Sequence, residues 1–115
     1  MTTESTTKTP SEPITIESQN ELSELVAEYD VVLADFYADW CGPCQMMEPT
    51  IEKVADTTDA AIVKVDVDQF QQLAAQYGVQ GVPTLVLFAG GEAEKRMVGV
   101  QSEPELVDLI DSYAN

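Results

Sequence analysis

Cys41 and Cys44 are the only thiols in the chain, and they stand three positions apart inside Trp40-Cys41-Gly42-Pro43-Cys44. An apolar run, Val31 to Tyr37, precedes them, and a helical pattern, Met46 to Thr57, follows. Side chains three apart on a helix have Cβ atoms about 5–6 Å apart. A disulfide needs roughly 3.8 Å. A small local adjustment closes such a bridge and little prevents its reopening, so the spacing suits a bond that is made and broken repeatedly. The reactive form of cysteine is the thiolate. Cys41 falls at the helix mouth, where unpaired N–H groups and the positive end of the macrodipole favour negative charge. Cys44 falls one turn in and is more shielded. Cys41 is therefore the expected attacking thiol and Cys44 the resolving one. Cys41 attacks a substrate disulfide, a mixed disulfide forms, and Cys44 displaces the reduced substrate to leave a Cys41–Cys44 bridge. Pro43 fits the first helical turn, where its missing N–H breaks no bond. Gly42 leaves room for another backbone near the sulfurs.

Other readings of the pair stay open at this point. A static disulfide would close so short a loop that it stabilises little. A closed zinc site generally takes four Cys or His ligands. This chain has two Cys and no His, so a metal would need a second chain, as in a cluster shared across a dimer. A Cys-x-x-Cys pair becomes a strong redox signal beside a βαβ pattern, and the elements around it decide.

At 115 residues with 44% hydrophobic content, the chain has the length and apolar material of one domain. Twenty-one acidic residues face five basic ones, for a net charge of −16. Such a surface repels nucleic acid and anionic membranes. The acids are dispersed along the chain, which reads as a solvated shell on a folded domain. Dispersed acids with scarce lysine suit a salt-loaded cytoplasm, where the Debye length shrinks to about 3 Å at molar salt. The alternative is an ordinary acidic protein. Residues 1–12 show no apolar core of a signal peptide, and no run reaches the ~20 apolar residues that span a bilayer. A cytoplasmic protein is expected, and two cysteines in a reducing compartment then read as redox-active or metal-binding.

The positioning elements follow in order. Residues 1–12 hold five threonines, two serines and two acids, the composition of a disordered tail. The domain is expected over 13–115. Pro13 to Ile16 reads as a short strand. Ser18-Gln19-Asn20-Glu21 reads as a capping box, opening a helix with Leu22, Leu25, Val26 and Tyr29 on one face. Val31 to Tyr37 is apolar enough for a central strand covered on both faces. The next helix carries Met47, Ile51, Val54 and Ala55 at helical spacing, with Pro49 expected to kink it. Ala60 to Val67 is a further strand. Phe70, Leu73, Ala74 and Tyr77 mark a short helix ending at Gly78. Thr84 to Ala89, the Gly90-Gly91 turn and Ala93 to Gly99 form a hairpin. Ser102-Glu103-Pro104-Glu105 is a second capping box, starting a helix with Leu106, Leu109, Ile110 and Tyr113 expected to face inward. The order β-α-β-α-β-α-β-β-α predicts an α/β fold: a five-stranded mixed sheet sandwiched between helices, parallel in its first half and antiparallel in its last hairpin.

With these elements placed, the chain resembles the thioredoxin family over about residues 13–115. Trp40 to Cys44 carries the resemblance together with Asp35-Phe36-Tyr37-Ala38 before it, Pro49 after it, Gly81-Val82-Pro83-Thr84, Gly91 and Gly99. The resemblance implies a thioredoxin fold and a protein-disulfide reductase serving cytoplasmic redox homeostasis. Its partners would be disulfide-containing proteins and a thioredoxin reductase. It would be monomeric, need no bound cofactor or metal, and engage neither nucleic acid nor membrane. An oxidase or isomerase on the same fold, and a redox-inert binding module, are the alternatives. Asp35, an acid inside an apolar run, would lie beneath the redox helix with its proton affinity raised by burial and exchange protons with Cys44; a solvent-facing Asp at a strand end is the alternative. The resemblance places Lys64 near that acid, pairing with it; a plain surface lysine is the alternative. It implies a cis Val82–Pro83 bond beside Cys41, whose loop offers backbone groups to an extended substrate. Trp40, Gly42, Val82, Gly99 and Val100 would form the apolar docking surface, joined by Pro43 and Gly81; Trp40 in the core is the alternative. Tyr37 stands where the best-known relatives carry a second tryptophan, and Gln45 where a lysine is common. Asp39 adds negative charge that works against a thiolate.

Overall fold

The computed structural model describes residues 9–114. The first eight positions of the expected tail lie outside the described residues. Nine elements follow in order: β1 (Ile14–Thr15), α1 (Glu21–Glu28), β2 (Val31–Tyr37), α2 (Gly42–Thr57), β3 (Ala61–Asp66), α3 (Gln71–Gln76), β4 (Thr84–Ala89), β5 (Glu92–Val98) and α4 (Glu103–Tyr113). The strands form one sheet in the order β1-β3-β2-β4-β5. β1 and β2 run parallel to β3, and β4 runs antiparallel to both β2 and β5. This is the mixed five-stranded architecture that the apolar pattern predicts.

β2 lies at the centre of the sheet, and its alternation builds both layers of the core. Val32, Ala34 and Phe36 face one way, where they join Leu22, Leu25 and Val26 of α1 and Leu73 and Ala74 of α3. Val31 and Leu33 face the other way, against Met47, Ile51, Val54 and Ala55 of α2 and Leu106 and Ile110 of α4. A strand with helices on both faces has no solvent side, which is why its run is nearly all apolar. Tyr77 packs edge-on to Phe88 and tilted against Phe36, with ring centroids 5.3 and 6.1 Å apart, and so fastens the end of α3 to the sheet.

Several local expectations are corrected. The box at Ser18 to Glu21 does not form: Asn20 is the N-cap without a side-chain cap, and the Glu21 carboxylate accepts instead from the Glu17 N–H at 2.7 Å. The box at Ser102 forms in full, with Ser102 Oγ accepting from the Glu105 N–H and Glu105 Oε1 accepting from the Ser102 N–H. Tyr113 does not face inward; it is exposed, and Leu109 is only half-buried. Helical spacing gives the side of α4 that turns inward but not how far the sheet beneath it extends. α2 runs as one element from Gly42 to Thr57 with Pro49 inside it, where the missing N–H leaves the Gln45 carbonyl without its helical donor.

Candidate active site

The loop after β2 delivers the cysteine pair to the start of α2. Cys41 is the N-cap, in extended conformation, and Pro43 occupies the first helical turn. Cys41 and Cys44 are disulfide-bonded, with Cα atoms 5.2 Å apart. The Cys44 N–H donates to Cys41 Sγ at 3.1 Å. The sulfur thus takes the place of the side-chain oxygen that ordinarily caps a helix, and it sits where the helix favours negative charge. In the bonded state both cysteines are buried, at 4% and 2% exposure, packed with Ala38 against Tyr37, Val67 and Val82. The difference in shielding expected between them is therefore slight. Gly42 and Pro43 lie exposed above them, and a Cβ added at Gly42 would meet no atom within 4 Å.

Beneath this turn, the α2-facing side of β2 carries Val31, Leu33, Asp35 and Tyr37. Asp35 is 2% exposed, so the reading of a solvent-facing strand end is set aside. Its Oδ1 has no hydrogen-bond partner. Burial drives its pKa up to about 7; the Lys64 ammonium opposes the rise and the Glu48 carboxylate adds to it. The register places Lys64 of β3 directly beside Asp35, and Leu85 of β4 on the other side.

The pairing expected between Lys64 and Asp35 is not the one formed. The Lys64 ammonium makes its ion pair with Glu48 Oε2 of α2, at 2.5 Å, and stands 4.5 Å from the centroid of the Tyr37 ring. Nor is Lys64 a plain surface lysine, because its side chain is only 14% exposed. The Tyr37 phenol is pushed up by burial and by its acidic neighbours, Asp66 first. Glu48 escaped the reading of the sequence: it is one acid among twenty-one, sixteen positions from its partner.

A rim of exposed and half-buried residues borders the cysteine turn. Trp40 is 71% exposed, which removes the core alternative, and its indole N–H donates to Asp68 Oδ2 at 2.8 Å. Trp40, Gly81 and Val82 border a hollow of about 150 Å³ with Val67, Val79 and Gln80. The Val82–Pro83 bond is cis. Pro83 is buried, and its carbonyl accepts from the Gly99 N–H at 2.9 Å, so the turn at Gly81 to Thr84 is tied to the end of β5. Gly99 adopts φ +92°, a left-handed conformation that glycine takes without a Cβ clash. Val100 is half exposed. Val98 and Met46 are further exposed apolar side chains, each at 71%. Gln45 Nε2 donates to the Asp39 carbonyl at 3.0 Å, bracing the loop before the cysteines.

A parallel-antiparallel sheet between helices, with a bonded Cys-x-x-Cys at a helix N-terminus beside a cis-proline turn, defines a thiol–disulfide oxidoreductase. The thioredoxin family profile matches residues 13–112. A mutant thioredoxin of Halobacterium salinarum shares 57% identity and superposes with a TM-score of 0.91, over 96% of this chain and 97% of that one. Thioredoxin of Mycoplasma genitalium is 38% identical over 98 residues, 84% of this chain and 96% of its own length. Thioredoxin of Chlamydia trachomatis is 38% identical over 101 residues, 87% of this chain and 98% of its own. The chain belongs to the thioredoxin family, and it is a protein-disulfide oxidoreductase whose redox-active pair is Cys41 and Cys44.

Proposed function

We propose that the chain works in the reducing direction as a cytoplasmic monomer, taking electrons from a thioredoxin reductase and passing them to disulfide-bonded proteins. The observation that carries Cys41 as the attacking thiol is the hydrogen bond from the Cys44 N–H to Cys41 Sγ, since a sulfur that caps a helix is the one best placed to carry the thiolate charge; the reducing direction is supported by the likeness to thioredoxins. In the cycle, Cys41 thiolate attacks a substrate disulfide; one substrate sulfur bonds to Cys41 and the other leaves as thiolate and takes a proton. The Cys44 thiol then gives its proton to the Asp35 carboxylate and attacks Cys41 Sγ. The substrate's second sulfur leaves with the bonding electron pair and is protonated, so the substrate gains two electrons and two protons in all. The protein is left bridged, for re-reduction by a dithiol donor.

An acid with a pKa about 7 is matched to accept and return that proton near neutrality. The exposed Trp40 and Val100, the open Gly42 and Pro43, and the Gly81-Val82-Pro83 turn with Gly99 supply a rim on which an extended segment can dock by backbone pairing and apolar contact.

Reduction of insulin disulfides with dithiothreitol, run in molar KCl, tests the reading. Cys41→Ser is expected to abolish catalysis, and Cys44→Ser to accumulate a mixed disulfide with target proteins. Activity surviving Cys41→Ser points to a redox-inert binding module, and a potential well above the cytosolic poise points to an oxidase or isomerase.

A further inference from the structure

Asp35 is the group that would store the proton of the resolving cysteine, yet the cation nearest to it in the sheet is bound elsewhere. Lys64 leaves β3 on the same face as Asp35 and directly beside it in register. Its ammonium nonetheless extends along the Tyr37 ring to Glu48, and Asp35 Oδ1 is left without a partner. Glu48 lies in α2 one turn beyond Cys44, and its side chain is 36% exposed. It therefore holds Lys64 toward the solvent end of the cleft between α2 and the sheet.

Among the described residues, Lys64 and Glu48 are the charges that act on Asp35, and the rest of that face is apolar. β4 supplies Leu85 and Leu87, and α4 supplies Leu106 and Ile110. α2 supplies Met47 and Ile51 beside the cysteines. The titratable groups facing the carboxyl are thus Lys64 on β3, Glu48 on α2, Tyr37 on its own strand, and the two cysteines when reduced.

We propose that Glu48 is a positioning residue of the redox cycle: it anchors the Lys64 ammonium away from Asp35, so that the buried carboxyl serves as a proton store without a fixed counter-ion. The inference rests on the role given to Asp35 above. Without Glu48, the carboxylate beside Lys64 in register is that of Asp35, with Asp66 two positions on along β3; a direct Asp35–Lys64 pair would keep Asp35 ionised and weaken it as acceptor of the Cys44 proton.

The Asp35 carboxyl is followed directly, by carbon-13 NMR of the side chain across a pH series in the full chain with the cysteines reduced. Insulin reduction is measured over the same pH range. Glu48→Gln is expected to lower the Asp35 midpoint by on the order of one pH unit, and to carry the pH dependence of turnover with it. Glu48→Asp, which keeps the charge, is expected to restore most of both. In a Lys64→Met background, Glu48→Gln should move the midpoint much less, because the anchored cation is gone. An unmoved midpoint in Glu48→Gln overturns the inference and leaves the role of Asp35 standing. An equal shift with and without Lys64 also overturns it, because Glu48 would then act only through its own field. A midpoint that moves while the turnover profile stays fixed overturns the role of Asp35 and the positioning role with it.

Discussion

Replacing Asp35 by Asn isolates the energetic consequence of burying an acid in the central strand. The carboxyl rises from 3.8 to about 7 on folding, chiefly by desolvation. Each pH unit of such a difference corresponds to ~1.4 kcal/mol, so the span is worth on the order of 4 kcal/mol. The folded state holds the proton more tightly than the unfolded chain. The stability linked to this group is therefore full below the unfolded value near pH 4, declines as pH rises, and is lost above the folded value near pH 7. Asn has nearly the same shape and no ionisation. The gap in unfolding free energy between Asp35→Asn and the parent should be small at pH 4. It should widen through pH 5 and 6 and level off above pH 7 with the variant more stable by about 4 kcal/mol. Urea titrations of both proteins in the bridged state, at fixed molar KCl, measure it. The other acids are common to both proteins and cancel in the difference. A gap that stays constant from pH 4 to pH 8, or a parent that gains on the variant as pH rises, refutes the reasoning. The same variant should turn over protein disulfides more slowly, so stability and activity should move in opposite directions.

Two further outcomes follow from the surface and the helix ends. With a net charge of −16, the urea midpoint of the parent should climb from low salt to molar KCl, as the Debye length contracts from about 10 to about 3 Å; an unchanged midpoint would return the acidity to an ordinary surface. Ser102→Ala removes the cap that α4 needs to cover Leu33 and Leu85, and should cost about 1 kcal/mol in the same titration, whereas Ser18→Ala should have no measurable effect because no box forms there.

The contrast between those two serines shows where local sequence is informative. Both stretches fit the pattern of a capping box, but only Ser102 is followed by a proline that fixes the first helical turn, while at the head of α1 the Glu21 side chain finds the Glu17 N–H instead. The mixed five-stranded sheet and the central place of β2 were legible because a run of apolar residues bounded by turn signals has few other destinations. The cysteine pair was legible in its spacing at the head of a helix, and the cis Val82–Pro83 turn only through the family resemblance. Contacts between charged side chains on different elements were not. Trp40 and Asp68 are twenty-eight positions apart, and Lys64 and Glu48 sixteen; no periodicity within a single element relates them. In a chain with so many acids, each carboxylate is a candidate partner for each of the few cations, and only the register of β2 with β3 under α2 chooses among them.

That register also explains why one strand can serve core and chemistry together. On the α2 side of β2, Val31 and Leu33 bury apolar surface, and two residues on, the same alternation places Asp35 under the redox turn and Tyr37 under the Lys64 ammonium. A strand buried on both faces holds its side chains to one geometry, which a proton-exchanging group requires and a surface loop would not supply. The destabilisation from the buried acid follows from its desolvation between the sheet and α2. It is tolerable because a few kcal/mol is smaller than the combined contribution of the fully buried aliphatic side chains on the two faces, at ~1.5–3 kcal/mol each. Moving the acid one position along β2 would turn it to the opposite face, toward α1 and α3 and away from Lys64 and the cysteines. The proton exchange proposed for Asp35 thus depends on its place in the strand, beneath the redox helix.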